Sequence, residues 1–110
     1  MQKEKTLIRG IVSLLILDIL MEGELYGYAI RKKLLQLIDE PIPSGYIYVI
    51  LKHLETKKFI KSTLKSANNR TIRVYSITDD GKKLLFEHRD SLYKLIKIAE
   101  KILSDLKNQN

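Results

Sequence analysis

Residues 44–60 read SGYIYVILKHLETKKFI, and the reading of this stretch decides the fold. On a 100° wheel Ile47, Ile50, Leu51 and Leu54 fall on one side, the apolar stripe of a helix lying on a core. Pro41 and Pro43 push the residues before them into extended geometry, so a preceding helix stops there. Ser44 is a favourable N-cap for the new one. The opposite side carries Gly45, Tyr48, Val49, Lys52, His53 and Thr56. A plain solvent face has no need of a glycine, a phenol and a valine together.

A DNA duplex would use each of them. Gly45, in the first turn, lets backbone N–H groups approach a phosphate where the helix dipole already favours an anion. The Tyr48 hydroxyl can donate to a phosphate oxygen while Val49 meets a thymine methyl and Lys52 a guanine edge or a phosphate. His53 and Thr56 add polar reach at the edges, and Ser44 lies at the same end as Gly45. Taken singly, Tyr48 is equally explained by packing on a helix flank and Gly45 by turn geometry. The set, not any member, points to DNA.

Charge placement points the same way. The chain of 110 residues has a net charge of +7. Residues 44–75 hold seven Lys/Arg against one acid, Glu55, which is +6 and leaves +1 for the rest. A concentrated basic patch fits a polyanion, nucleic acid first and an anionic membrane second. The plainer alternative is a solvated lysine-rich surface. With no cysteine, disulfides, thiol nucleophiles and thiolate metal sites are excluded, which is compatible with a reducing cytoplasm.

Working outward, LIRGIVSLLILDILM (residues 7–21) is short for a membrane span of about 20 residues. Arg9 and Asp18 fall on opposite sides of a helix drawn through it, and no small-residue cleavage site follows. It reads as a buried helix. Gly23 breaks the pattern, and LYGYAIRKKLLQLIDE resumes it with Tyr26, Ile30, Leu34 and Leu37 on one side. After Phe59 the period becomes two. IKSTLKS and TIRVYSI are strands joined by an ANNR turn, with Ile72 and Val74 on one face and Tyr75 and Ile77 on the other. Arg70 and Arg73 flank that turn and are expected to touch phosphates or the minor groove.

Thr78 caps a last helix, with Asp79 and Asp80 in its first turn. The spacing of Leu85, His88, Leu92, Leu95, Ala99, Ile102 and Leu106 is a heptad seam on one helix running to about Lys107. At about 1.5 Å per residue such a helix is near 42 Å long, more than a domain this size can cover, so a second copy is the expected partner. The fold expected is mainly α with a β wing, in the order α-α-α-β-β-α. Residues 1–78 make a winged helix-turn-helix and residues 79–110 a dimerisation helix, together one unit.

Four motifs, LIRGIVSLLILDIL, YGYAI, SGYIYVILKHLE and RVYSITDDGKKLL, occur in an order and spacing that resembles the PadR family of transcriptional regulators. The resemblance implies a winged-helix homodimer on double-stranded DNA, and a repressor released by a small aromatic or hydrophobic effector. Phenolic acids, flat drugs or no ligand all stay open. Members that hold flat drugs use a tryptophan in the dimer pore. This chain has no Trp, and Leu92 stands about where that aromatic would sit. Val49 replaces a proline common in the family, Ala29 an acidic residue, and Lys58 the glycine that often ends the recognition helix. The last predicts a less sharp helix end.

Enzyme chemistry finds no constellation. His53 and His88 have no second His, Cys or paired carboxylate at ligand spacing, so no metal or cofactor is expected. A sequence-specific regulator acting in the cytoplasm is the function expected. The alternatives are a small basic architectural protein that coats DNA with little sequence choice, and, more weakly, a winged module that binds protein.

Overall fold

The computed structural model describes residues 2–109, with side chains from residue 11 onward. Arg9, set against Asp18 above, lies outside the described side chains. Helix α1 (Gln2–Leu20) leads into a two-residue strand β1 (Leu25–Tyr26), then helices α2 (Gly27–Ile38) and α3 (Ser44–Thr56). Strands β2 (Ile60–Ala67) and β3 (Arg70–Ile77) form the hairpin, and helices α4 (Asp79–Glu87) and α5 (Arg89–Asn108) follow. The fold is the winged helix expected, with two elements the sequence pattern did not yield: β1, and a division of the last helix.

The core is where the stripes meet. Val12, Ile16, Leu17 and Leu20 of α1 pack with Ile30 and Leu34 of α2 and with Ile47, Leu51 and Leu54 of α3. The apolar run of residues 7–21 is thus buried along one side only over its described part: Ile11, Asp18 and Met21 are exposed and Leu14 and Leu15 half-buried. Gly23, at φ 144°, turns the chain out of α1 in a conformation that side chains rarely adopt. Tyr26 and Leu37 do not share the buried side of α2 as expected: both are exposed. Tyr26 precedes the helix, in β1, and Leu37 falls in the last turn. The buried face is Gly27, Ile30 and Leu34.

The sheet runs β1-β3-β2, antiparallel throughout. Asn68 and Asn69, at φ 51° and 63°, take the two left-handed positions of the hairpin turn, as their side chains allow. Ile60 at the base is buried and Leu64 toward the tip is exposed, so the alternation fades as the hairpin leaves the core.

Two helix ends differ from expectation. Ser44 does not cap α3: Pro43 occupies that position, without a side-chain cap, and its carbonyl accepts from the Tyr46 N–H at 3.0 Å. At the other end Lys58 adopts φ 67°, so the helix stops sharply despite the missing glycine. The Phe59 N–H reaches the Leu54 carbonyl and the Lys58 N–H the Glu55 carbonyl, the paired bonds of a Schellman motif.

The final helix is broken at His88. In an unbroken helix the Leu84 carbonyl would accept the backbone N–H of His88. Here the imidazole Nδ1 donates to it at 2.9 Å, and the backbone N–H moves to the Leu85 carbonyl at 3.2 Å. The Thr78 cap is present, its Oγ1 accepting from the Gly81 N–H at 3.1 Å. Leu85 is partly buried against the core, and α5 extends beyond it. The molecule measures 59 × 28 × 21 Å, with a radius of gyration of 16.4 Å against about 13 Å for a compact chain of this length.

Candidate nucleic-acid interface

Burial of Ile47, Ile50, Leu51 and Leu54 leaves the other side of α3 outward, as the wheel required. Ser44, Gly45, Tyr48, Val49, Lys52, His53 and Thr56 are all exposed. Gly45 is informative because neither turn nor packing needs it. Its φ is not positive, and a Cβ there would meet nothing within 4 Å. What remains is a bare backbone at the start of a helix, facing outward.

Tyr48 leans on α2. A Cβ on Gly27 would stand 2.9 Å from Tyr48 Cε1 and 3.1 Å from its hydroxyl, so a glycine is what lets the ring lie there. The ring thus forms a wall of a concavity of about 650 Å³ between α3, the start of α2 and the wing. Arg70 and Arg73 line it from β3, along with Tyr26, Tyr28 and Tyr75. The rings of Tyr26 and Tyr28 stack with centroids 6.2 Å apart. The structure therefore brings Tyr48 together with Arg70 and Arg73, while Val49, Lys52, His53 and Thr56 lie along the open helix face.

A chain of hydrogen bonds fixes one of the arginines. Glu55 Oε2 accepts from the Ser62 hydroxyl at 2.6 Å, and Ser62 Oγ accepts from Arg73 Nη1 at 2.9 Å. The one acid in the basic stretch thereby joins the end of α3 to both strands of the wing. Lys65, counted in the +6 patch, is paired with Glu24 in the turn before β1. Sequence reasoning missed the tyrosine cluster and the Glu55–Ser62–Arg73 chain. The first had a signal, since glycine between two tyrosines in LYGY marks a close approach. The second had none, because it depends on strand register.

The expected seam also divides. His88 spends its ring on its own backbone, and Leu85 and Leu92 line a groove against Ile11, Leu14, Leu15 and Asp18 of α1. On α5, Leu95, Ala99, Ile102 and Leu106 lie on one exposed apolar strip. Ile96 and Leu103, which the strict heptad omits, widen it. Among the described residues no three His, Cys, Asp or Glu side chains gather where they could hold a metal ion, and no helix is long and apolar enough to cross a membrane.

The sequence matches the transcriptional regulator PadR-like family over residues 16–87, well over half of the chain. The chain belongs to this family. No curated protein matches it. Among solved structures it is similar to a transcriptional regulator of Thermoplasma acidophilum, with 31% identity, TM-score 0.83, and 90% of this chain and 96% of that one covered. It is likewise similar to a PadR-like transcriptional regulator of Bacillus cereus, with 28% identity, TM-score 0.79, and 89% and 96% covered. Bacillus subtilis PadR in complex with operator DNA matches at 28% identity and TM-score 0.62, over 70% of this chain and 44% of that one. As a PadR-like regulator, the chain shares with these structures the winged fold.

Proposed function

We propose that this chain is a sequence-specific DNA-binding repressor acting in the cytoplasm as a homodimer on a pseudo-palindromic operator. The observation that carries the reading is the meeting of Tyr48, Arg70 and Arg73 in one concavity beside the exposed face of α3. Phenols and guanidinium groups converging next to a helix with an open, glycine-bearing start suit a phosphate backbone. The similarity to a relative that binds operator DNA supports the same reading. In it Lys52 and Val49 meet bases, while Ser44, Gly45 and Tyr48 hold the backbone beside the helix, His53 and Thr56 edge the contact, and Arg70 and Arg73 hold the flank.

Dimerisation through α5 is supported by its apolar strip, which no described residue of its own chain covers. A two-fold dimer presents two such helices, so half-sites fall about one helical turn apart, or a multiple of it. For release, a small hydrophobic effector would find apolar walls of Leu85, Phe86, Leu92, Tyr93 and Ile96 in a concavity of about 310 Å³ that Asp18 and Arg89 also line.

The test is a gel-shift titration with the region upstream of the protein's own gene, in excess random DNA. Expected is a discrete complex that random competitor does not remove. Loss of that complex at equal competitor would favour an architectural protein, and no complex at all a protein-binding module.

A further inference from the structure

Tyr75 carries a hydroxyl that the fold does not use. It sits in the middle of β3, between Leu25 of β1 and Ser62 of β2, and only 7% of the residue is exposed. It nevertheless lines the concavity between α3 and the wing, and its hydroxyl makes no hydrogen bond among the described residues. The hydroxyl is not sealed off with the rest of the side chain: it opens on the concavity, where water serves it in the free protein and a ligand could replace that water. An unpaired donor at the wall of an open concavity, two residues from an arginine on the same strand, is placed for something that arrives from outside.

We propose that this concavity is a seat for a single phosphodiester of the DNA backbone, with the Tyr75 and Tyr48 hydroxyls donating to its oxygens and Arg73 supplying the charge. The inference rests on the DNA-binding reading and adds to it a contact from within the sheet, outside both the helix face and the wing tip.

The surroundings fit an anion. Burial holds the Tyr75 phenol above its ordinary pKa, and outweighs the opposing pull of the Arg73 guanidinium, so the group stays a proton donor. Glu55 is the acid facing the site, and its Oε2 is occupied by the Ser62 hydroxyl. Ser62 in turn holds Arg73 Nη1, which orients the guanidinium instead of leaving it to sweep through solvent. Arg70 brings a second positive charge to the same wall. The start of α2 opens on the site with no acid in its first turn and no side-chain cap from Tyr26, so its dipole favours an anion there. At about 650 Å³ the concavity takes a phosphate together with its sugar.

The experiment measures dissociation constants for a random-sequence duplex with the wild type, Tyr75→Phe, Arg73→Ala and the double variant, with melting temperatures alongside. Tyr75→Phe is expected to weaken binding by about tenfold or more, as loss of a hydrogen bond to a charged group does, with melting unchanged. On the Arg73→Ala background the same change should cost under about threefold, because the two groups hold one phosphate. Independent losses that multiply overturn the seat, as does unchanged binding by Tyr75→Phe. A lowered melting temperature with the lost binding makes the hydroxyl structural and overturns it too. Calorimetry with inorganic phosphate distinguishes a free anion: saturable binding by the wild type, with the DNA affinity of Tyr75→Phe intact, would assign the concavity to that anion and overturn the phosphodiester. A wild type that binds no DNA overturns the functional reading along with the seat. Binding with multiplied losses removes the seat alone.

Discussion

Helices α3 and α5 both carry an apolar stripe, and the stripes meet opposite fates. Ile47 and Leu51 of α3 are inaccessible and Leu54 is nearly so, each covered by α1, α2 or the sheet. On α5, Leu95 is 53% exposed, Ile102 51% and Leu106 59%. Among the described residues, the winged part completes its core within one chain, and the apolar strip of the last helix stays uncovered. An apolar strip of this length is a demand on a partner, and in the proposed homodimer a second copy would meet it isologously, each α5 covering the other. The break at His88 separates the two regimes: α4 leans on α1, and beyond Leu92, which still lines a groove against α1, the apolar positions of α5 are exposed.

The largest effects should come from attacking the two stripes in turn. Leu95→Asp with Ile102→Asp buries unpaired charge at the proposed dimer contact, at a cost of several kcal/mol. Light scattering should report monomer, while the far-ultraviolet spectrum of the winged part persists. Leu51→Ala is the mirror image. It should lower thermal stability by about 2–5 kcal/mol through a cavity in the core, with the dimer intact where the chain folds. A wild-type monomer at micromolar concentration would end the dimer reading, and with it the contrast between the stripes.

Next come the two outward residues of α3 that the fold does not require. Tyr48→Phe removes a hydroxyl that makes no hydrogen bond among the described residues, so melting should hold. A hydrogen bond to a charged phosphate oxygen contributes about 1.5–3 kcal/mol, and a dimer loses two, so affinity should fall at least about tenfold. Gly45→Ala places a methyl in open space and favours the helix, so stability should stay level or rise slightly. If a phosphate comes close to that backbone, affinity should fall even so. Unchanged DNA affinity in both variants would move the interface off this end of α3.

The wing offers a smaller effect with its own signature. Arg70→Ala with Arg73→Ala should weaken binding to specific and random DNA nearly alike. It should also flatten the dependence on salt by roughly one unit of slope per lost phosphate contact per subunit. An unchanged slope would place the wing away from the duplex and leave Arg73 as a partner of Ser62.

What the sequence disclosed follows how local each feature is. The stripe of α3, the paired asparagines of the turn and the Thr78 cap each rest on residues within one turn or hairpin, and they are found where periodicity and turn chemistry put them. The winged order and the concentration of charge were legible too. Features that depend on contacts across the chain were not. Strand β1 is two residues long, too short to show a period, and exists because Val74 and Tyr75 offer it an edge. The Glu55–Ser62–Arg73 chain needs the register that brings β2 beside both α3 and β3. The seam looked continuous because heptad spacing passes through His88 unchanged, while a side chain competing for one carbonyl breaks the helix beneath it.

The smallest effect compares two helix ends. At α4 the break is satisfied by the His88 imidazole, and at α3 by a lysine in the left-handed region, where a side chain costs about 1–2 kcal/mol that glycine would not incur. Lys58→Gly should relieve that strain. Part of the gain is offset by the greater freedom of glycine in the unfolded chain, so a net gain below about 1 kcal/mol is expected, seen as a melting rise of a few degrees. The backbone bonds should survive, because the Lys58 and Phe59 N–H groups keep their acceptors on Glu55 and Leu54, and the Thr78 hydroxyl still donates to the carbonyl of residue 58. The same variant asks why lysine stands there. If its charge serves DNA, the salt slope should fall by about one unit per subunit as stability rises, which would mark a strained position kept for binding. A higher melting point with affinity and slope untouched would leave Lys58 as a residue the helix end merely tolerates. A lower melting point would show that the lysine side chain steadies this end by more than its backbone strain takes away.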